Sequence, residues 1–355
     1  MSIVFQRPGR YGLISHLRGT AALAVTLFHS FGAYENQAVW APLEPVRQLA
    51  GHGWLGVHIF FVLSGYCLAE KMSALALRGR GAGDFLLDRF WRIVPPYWLT
   101  LIGLVLLGVL AASFNHLGWR SALPPDWQAV AGDVLLLHPA LGTPGLLLVS
   151  WTLACEAGFY LIVAGLLFLW PRVGGFGGAL LVGTILMLAC VLPGVAGRNL
   201  VLTYWPEFWL GLAAYAALAA RRRGTGLALL TGSAALVAWS PGGALGEIHF
   251  AAVATAVLLV ALHPLDGRLT ALPALRWLGT MGVWSYSLYL VHVPLLSRAQ
   301  NLAGRWVPPD SAAFLAVWLA SLALALVGAW AFYRCVEGPL ERWRHRRGAP
   351  SPSTA

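Results

Sequence analysis

The chain has 355 residues, of which 58% are apolar and 11% charged, with a net charge of +10 and a mean hydropathy of +0.70. A soluble domain carries roughly 45–50% apolar and about 25% charged residues, so these figures exclude a soluble globular enzyme, a disordered chain and a nucleic-acid-binding domain. The basic residues are spread in short clusters between apolar runs, the pattern of a polytopic membrane protein.

Crossing a bilayer takes about 20 mostly apolar residues in a helix, because hydrocarbon offers backbone amides no partner. About ten runs qualify, at 13–34, 54–76, 94–113, 146–170, 175–197, 200–220, 224–241, 249–265, 276–297 and 311–333. The predicted fold class is therefore all-α, a membrane helix bundle with both termini cytoplasmic. The orientation comes from the basic residues: eighteen, including Arg7, Arg10, Arg221 and Arg222, fall on the inner side. Five fall outside, namely Arg47, Arg120, Arg198, Arg298 and Arg305. The first run lacks a short apolar stretch followed by a cleavage pattern and reads as a retained signal anchor. The longest outer loop, Phe114 to Gly145, carries Trp119, Pro124, Pro125 and Trp127 and is expected to form an ordered cap at the interface. Residues 1–347 read as a single membrane domain, and the tail Gly348 to Ala355 as disordered. Cys67, Cys155, Cys190 and Cys335 share no C-x-x-C spacing, so neither a zinc site nor a redox motif is indicated, and none lies in a long exposed loop, so no disulfide framework is expected.

Ionisable groups inside apolar spans cost about 2.5–3.5 kcal/mol each at a helix centre and mark function by default. Arg18 and His29 lie in the first run, His58 in the second, Glu156 in the fourth and His292 in the ninth, with Glu207 nearer an interface. Eleven residues at about 100° each end some 20° beyond three turns, so Arg18 and His29 share a helix face, roughly 16 Å apart. Counted from the outer helix ends and the anchor Trp151, the groups His29, His58, Glu156 and His292 fall in one layer, roughly 6–8 Å deep. A Glu beside a His orients the imidazole and raises its basicity, which suits proton abstraction from a hydroxyl. A snorkelling Arg and a mutually satisfied buried pair would leave the same pattern.

At the inner side, Arg89 and Arg92 precede Pro95-Pro96-Tyr97-Trp98. At spacing i, i+3 they face one way on a helix and can hold phosphate oxygens, or serve as a topology anchor with an aromatic belt. Ser64-Gly65 in the second run is a small-residue step for close helix packing. No nucleophile elbow, zinc-protease motif or phosphate loop occurs.

Taken in order, these segments resemble the acyltransferase-3 family of bacterial integral-membrane O-acyltransferases, a group that includes exopolysaccharide and surface-glycan acetyltransferases. Leu17-Arg18-Gly19 through Phe28-His29 is similar to its first-helix motif and Phe60 to Tyr66 to its second-helix signature. Arg89 to Tyr97 resembles its R-x-x-R-I-x-P-x-Y segment. Ser150-Trp151-Thr152-Leu153 with Glu156, Phe159 and Tyr160 resembles a further stretch. Ser285 to Pro294, containing Tyr289 and His292, is similar to its late-helix motif, and Glu337 with Pro339 to its closing E-x-P. Two positions depart: His58 stands where the family often has Asp, and Ala157 where a second Glu is frequent.

The resemblance implies transfer of an acyl group, usually acetyl, from cytoplasmic acyl-CoA to a hydroxyl of a carbohydrate or lipid-linked glycan, in the bacterial inner membrane. Acyl-CoA is then a co-substrate, with no bound cofactor or metal and no nucleic-acid partner. By the same resemblance His29 is the general base and Arg18, Arg89 and Arg92 engage the donor. Glu156 assists the chemistry, with His58, Ser64, Trp151, Tyr160, Tyr289 and His292 as supporting residues. Some relatives carry an extracytoplasmic hydrolase-like domain, absent from this sequence. A lipid or secondary-metabolite acceptor suits the same chemistry. A proton-coupled transporter also suits a His/Glu layer, although matched Gly/Pro-broken helices in two halves are lacking.

Overall fold

The computed structural model describes residues 11–348, except 35, 115, 117, 119, 121, 122, 125, 173, 192–198, 220–222 and 240–245. Arg7, Arg10, Trp119, Pro125, Arg198, Arg221, Arg222 and the tail from 349 onwards, all used above, lie outside the described residues. The chain is all-α, and no strand occurs among the described residues. In chain order the helices are α1 (Leu13–His29), α2 (Glu44–Ala50), α3 (Gly56–Leu77), α4 (Ala82–Phe114), α5 (Trp127–Val134) and α6 (His138–Leu141). Then come α7 (Ser150–Leu169), α8 (Phe176–Val191), α9 (Leu200–Ala219), α10 (Arg223–Trp239) and α11 (Gly246–Leu262). Last are α12 (Asp266–Ala271), α13 (Arg276–Val283), α14 (Ser285–Ala303), α15 (Phe314–Phe332) and, after a π-turn at Tyr333–Glu337, α16 (Gly338–Gly348).

Each apolar run carries helix, because only internal hydrogen bonding satisfies a backbone in hydrocarbon. Among the described residues, five helical stretches, within 41–76, 82–114, 150–169, 249–271 and 314–344, are long and apolar enough to cross a bilayer. Three boundaries differ from expectation, each because polarity was misread. Helix α1 stops at His29 rather than running on to residue 34; a turn and a short 3-10 helix at Gly32–Tyr34 follow, and the apolar Phe31 and Tyr34 serve to pack against Phe314 and Trp318 rather than to extend the α-helix. Helix α4 begins at Ala82, so Arg89 and Arg92 lie well inside it. The charges of its first turns escape a hydropathy count by pairing, Asp84 with Arg80 just before the helix at 2.8 Å and Asp88 with Arg89 at 2.9 Å. The ninth run breaks at Trp284, and α14 continues to Ala303 because the buried Gln300 is satisfied by neighbours.

The described chain divides into two compact units. One comprises Met1–Val25, His52–Leu86 and Thr152–Val283. Its centre is α9 against α3, and α9 is buried without interruption from Trp205 to Ala217. A helix apolar all round belongs in a core. Backbones approach closely here through a reciprocal pair of glycines: a Cβ on Gly65 would strike the carbonyl of Phe208, and one on Gly211 the carbonyl of Val62. The start of α1 is held by Asp266, whose carboxylate accepts from the amides of Leu13 at 2.7 Å and Gly12 at 3.0 Å. That satisfies two orphan amides and sets a negative charge at the positive helix end.

The other unit comprises Thr26–Gly51, Leu87–Trp151 and Trp284–Ala355. Helices α14 and α15 pack along each other, and Ser30 is tied to both. Gln300 Nε2 donates to Ser30 O at 2.7 Å and Trp318 Nε1 to Ser30 Oγ at 2.9 Å. The segment between α4 and α7 is organised around Asp133, which accepts from the amide of Leu146 at 3.0 Å. Tyr97 OH and Trp98 Nε1, from α4, donate to the carbonyls of Asp133 and Val134 at 3.0 and 2.9 Å. His138 Nε2 lies 3.2 Å from Ser150 Oγ. Burial raises the Asp133 carboxyl above its usual range and lowers the His138 imidazole below its own.

Candidate active site

Two imidazoles meet in the second unit. His29 is the last residue of α1, and His292 sits on α14 with 1% of its surface exposed. His292 Nε2 lies 3.2 Å from His29 Nδ1, while His292 Nδ1 donates to the carbonyl of Leu288 at 2.9 Å. The ring of Phe28 lies edge-on to His29 with centroids 5.0 Å apart, and that of Tyr289 stands 5.8 Å from His292. Tyr289 OH is anchored on the carbonyl of Val149 at 3.2 Å. Because Ser30 is clamped by Gln300 and Trp318, the residue that follows His29 is fixed as well.

The same unit gathers guanidinium groups around one carboxylate. Asp88 accepts from Arg89 Nη2 at 2.9 Å and faces Arg344 Nε, from α16, at 3.7 Å. Arg344 also pairs with Glu341 at 3.5 Å. Arg92 and Arg344 line one cleft with Trp91, Glu337 and Glu341. Pro95 and Pro96 lie inside α4, and their missing N–H groups release the carbonyls of Trp91 and Arg92 from the helical ladder beside this cleft. Glu337 accepts from the backbone and hydroxyl of Ser287, joining the late-helix motif to the closing E-x-P. Arg344 escaped the sequence reading, which counted its basic cluster as a topology signal only.

In the first unit the remaining ionisable groups form two contacts. Glu156, on α7, accepts from Tyr160 OH at 2.7 Å and Ser64 Oγ at 3.3 Å. His58 Nδ1 lies 2.9 and 3.0 Å from the two carboxylate oxygens of Glu207, the side chains being 3% and 2% exposed. Glu207, expected nearer an interface, stands in the most enclosed helix of the unit. A signal was present, since a carboxylate within an apolar run needs a partner, and the unusual His58 provides it. Arg18 is half-buried on α1, and Trp151 half-buried at the start of α7. The four-residue layer thus resolves into His29 with His292 in one unit, and His58 with Glu207 and Glu156 with Ser64 in the other. Among the described residues no three His, Cys, Asp or Glu side chains cluster as metal ligands would.

A helical membrane protein that keeps paired imidazoles in one place and clustered guanidinium groups in another has the parts of a group-transfer enzyme: a base for a hydroxyl, and cations for an anionic donor. The chain belongs to the acyltransferase-3 family, whose acyltransferase domain matches residues 12–334. It is therefore a multi-pass membrane O-acyltransferase. It is similar to the acyltransferase MdmB of Streptomyces mycarofaciens, 29% identical with 96% of this chain and 95% of that protein aligned. The exopolysaccharide production protein ExoZ of Rhizobium meliloti is 30% identical over 83% of this chain and 92% of its own. The peptidoglycan O-acetyltransferase OatA of Listeria monocytogenes is 29% identical over 42% of this chain and 23% of its own. No solved structure matches the chain.

Proposed function

We propose that the protein transfers an acyl group, in the first instance acetyl, from acyl-CoA on the cytoplasmic side of the bacterial inner membrane to a hydroxyl of a carbohydrate or lipid-linked glycan. The observation that carries the reading is the imidazole pair at the end of α1, in which His29 is hydrogen-bonded to His292. In the proposed step the acceptor O–H gives its proton to His29 as its oxygen attacks the thioester carbonyl. A C–O bond forms, the C–S bond breaks, and the proton passes from His29 to the departing CoA sulfur. Arg18, Arg89 and Arg92 engage the donor phosphates, with Arg344 beside Arg92, and Glu156 is a supporting carboxylate. The glycan acceptor is suggested by the relatives, since ExoZ is named for exopolysaccharide production and OatA for peptidoglycan O-acetylation.

The test uses purified protein in detergent with radiolabelled acetyl-CoA and a lipid-linked oligosaccharide acceptor. Label should move to the acceptor, and His29→Gln should reduce transfer about 10²–10⁴-fold, the usual contribution of a positioned base. Transfer by the variant at near the parental rate would remove His29 as the base.

A further inference from the structure

We infer that His292 is a positioning residue: it fixes the tautomer of His29 so that the lone pair of His29 Nε2 is the one left to act as base. This rests on the proposal that His29 takes the acceptor's proton. It adds a role for His292, set by the geometry around the two rings.

The argument follows the protons along three groups. A main-chain carbonyl only accepts, so His292 Nδ1, 2.9 Å from Leu288 O, carries a hydrogen. A neutral imidazole has one N–H, which leaves His292 Nε2 as an acceptor. That atom lies 3.2 Å from His29 Nδ1, so His29 donates from Nδ1 and its single N–H is used there. What remains on His29 is the Nε2 lone pair. The other proton count places a second hydrogen on His292, making it a cation at 1% exposure, and puts the hydrogen of His29 on Nε2. A buried charge needs an opposite charge to be tolerated, and both nitrogens of His292 are already taken by a carbonyl and an imidazole. The neutral pair is the count that the surroundings allow.

The surroundings also hold the rings in place. Leu288, whose carbonyl starts the chain, is fully buried, and the Tyr289 ring packs by His292. When His29 takes the acceptor proton at Nε2, its Nδ1–H still points at His292 Nε2, a neutral acceptor that steadies the imidazolium. A second imidazole then does the orienting work that a carboxylate does in Ser-His-Asp enzymes.

Two measurements test this. In resting protein labelled with ¹⁵N-histidine, the ring signals assigned by loss in His29→Gln and His292→Gln should show His29 protonated at Nδ1 and bare at Nε2. In His292→Phe the His29 ring should revert to the Nε2–H form usual in water. In turnover, His292→Phe should lower kcat about 10–100-fold, as loss of an orienting partner does, with the KM for acetyl-CoA little changed. His292→Gln, whose side-chain oxygen reaches the place of Nε2 as an acceptor, should recover most of that loss. A parental spectrum with His29 protonated at Nε2, or equal kcat in the Phe and Gln variants, overturns the inference. If His292→Phe does not fold, the parental spectrum decides alone. Should His29→Gln keep transferring label, the base assignment falls while the tautomer result stands. Should His29→Gln be inactive and the tautomer wrong, only this inference falls.

Discussion

Replacing either Glu207 or His58 alone with Leu should cost more than half of what replacing both together costs. In the parent, His58 Nδ1 sits 2.9 and 3.0 Å from the two oxygens of Glu207, with 3% and 2% of the side chains exposed. Water cannot replace a lost partner at that burial. Leaving a buried polar group unsatisfied costs about 1–3 kcal/mol, and leaving a buried charge about 3–5 kcal/mol. Hydrogen bonds between membrane helices are weaker on average, about 0.6 kcal/mol and at most about 1.7 by double-mutant cycles. Contact with both oxygens in an enclosed helix places this pair at the upper end. Glu207→Leu and His58→Leu are each expected to cost about 3 kcal/mol, and the double variant at least about 1.5 kcal/mol less than their sum. Unfolding in mixed detergent micelles, followed by tryptophan fluorescence for all four proteins, measures the coupling. Additivity within about 0.5 kcal/mol, the behaviour of independent sites, would refute the reasoning and reduce the pair to packing.

Arg92→Gln and Arg344→Gln should each raise the KM for acetyl-CoA about tenfold or more, the worth of a charge-assisted hydrogen bond, and alter the acceptor KM less; Lys at either position should rescue incompletely, being a point charge rather than a fork. Unchanged donor KM in both variants would leave these residues as anchors of α4 and α16. The segment carrying α5 and α6 should respond to acid with opposite signs at two positions. His138 has a lowered pKa, so its contribution is present above its ordinary value near 6.5 and is lost as pH falls through the lowered folded value; Asp133 has a raised one, so its contribution is full below about 3.8 and lost as pH rises through the raised value. Asp133→Asn should therefore lose thermal stability between pH 7 and 5, whereas His138→Gln should gain it on further acidification toward pH 4. A common trend in both variants would contradict the burial argument.

Much of this architecture is written in the chain because lipid leaves few choices. An apolar run without water to bond its amides must be helical, which is why every run proved to contain helix. Hydropathy fails where apolar side chains pack a turn or a short 3-10 helix beyond the end of an α-helix, as Phe31 and Tyr34 do against Phe314 and Trp318. It fails equally where polar groups neutralise one another, as Asp88 and Arg89 do inside α4. For the site, the expense of ionisable groups in hydrocarbon pointed to His29, His58, Glu156 and His292, but not to who meets whom. Depth along a helix is one coordinate, and a contact needs three. Hence His292, ranked as a supporting residue, stands against His29, and Glu207, set aside as interfacial, completes His58. The joining of Ser287 to Glu337 across 50 residues had no local signature, because each motif looked complete by itself.

The reciprocal glycines at the α3–α9 crossing also bear on how this protein can change over time. A larger residue in most cores can be accommodated by trimming a facing side chain, so a harmful substitution has suppressors scattered around it. At Gly65 and Gly211 the obstacle is main chain, the carbonyls of Phe208 and Val62, and every amino acid has that carbonyl. No replacement at the facing positions makes room. A population carrying Gly65→Val has two ways back: restoring a glycine, or sliding one helix along the other, which would pull His58 and Glu207 apart. These two positions are ones from which neutral drift has almost no exit.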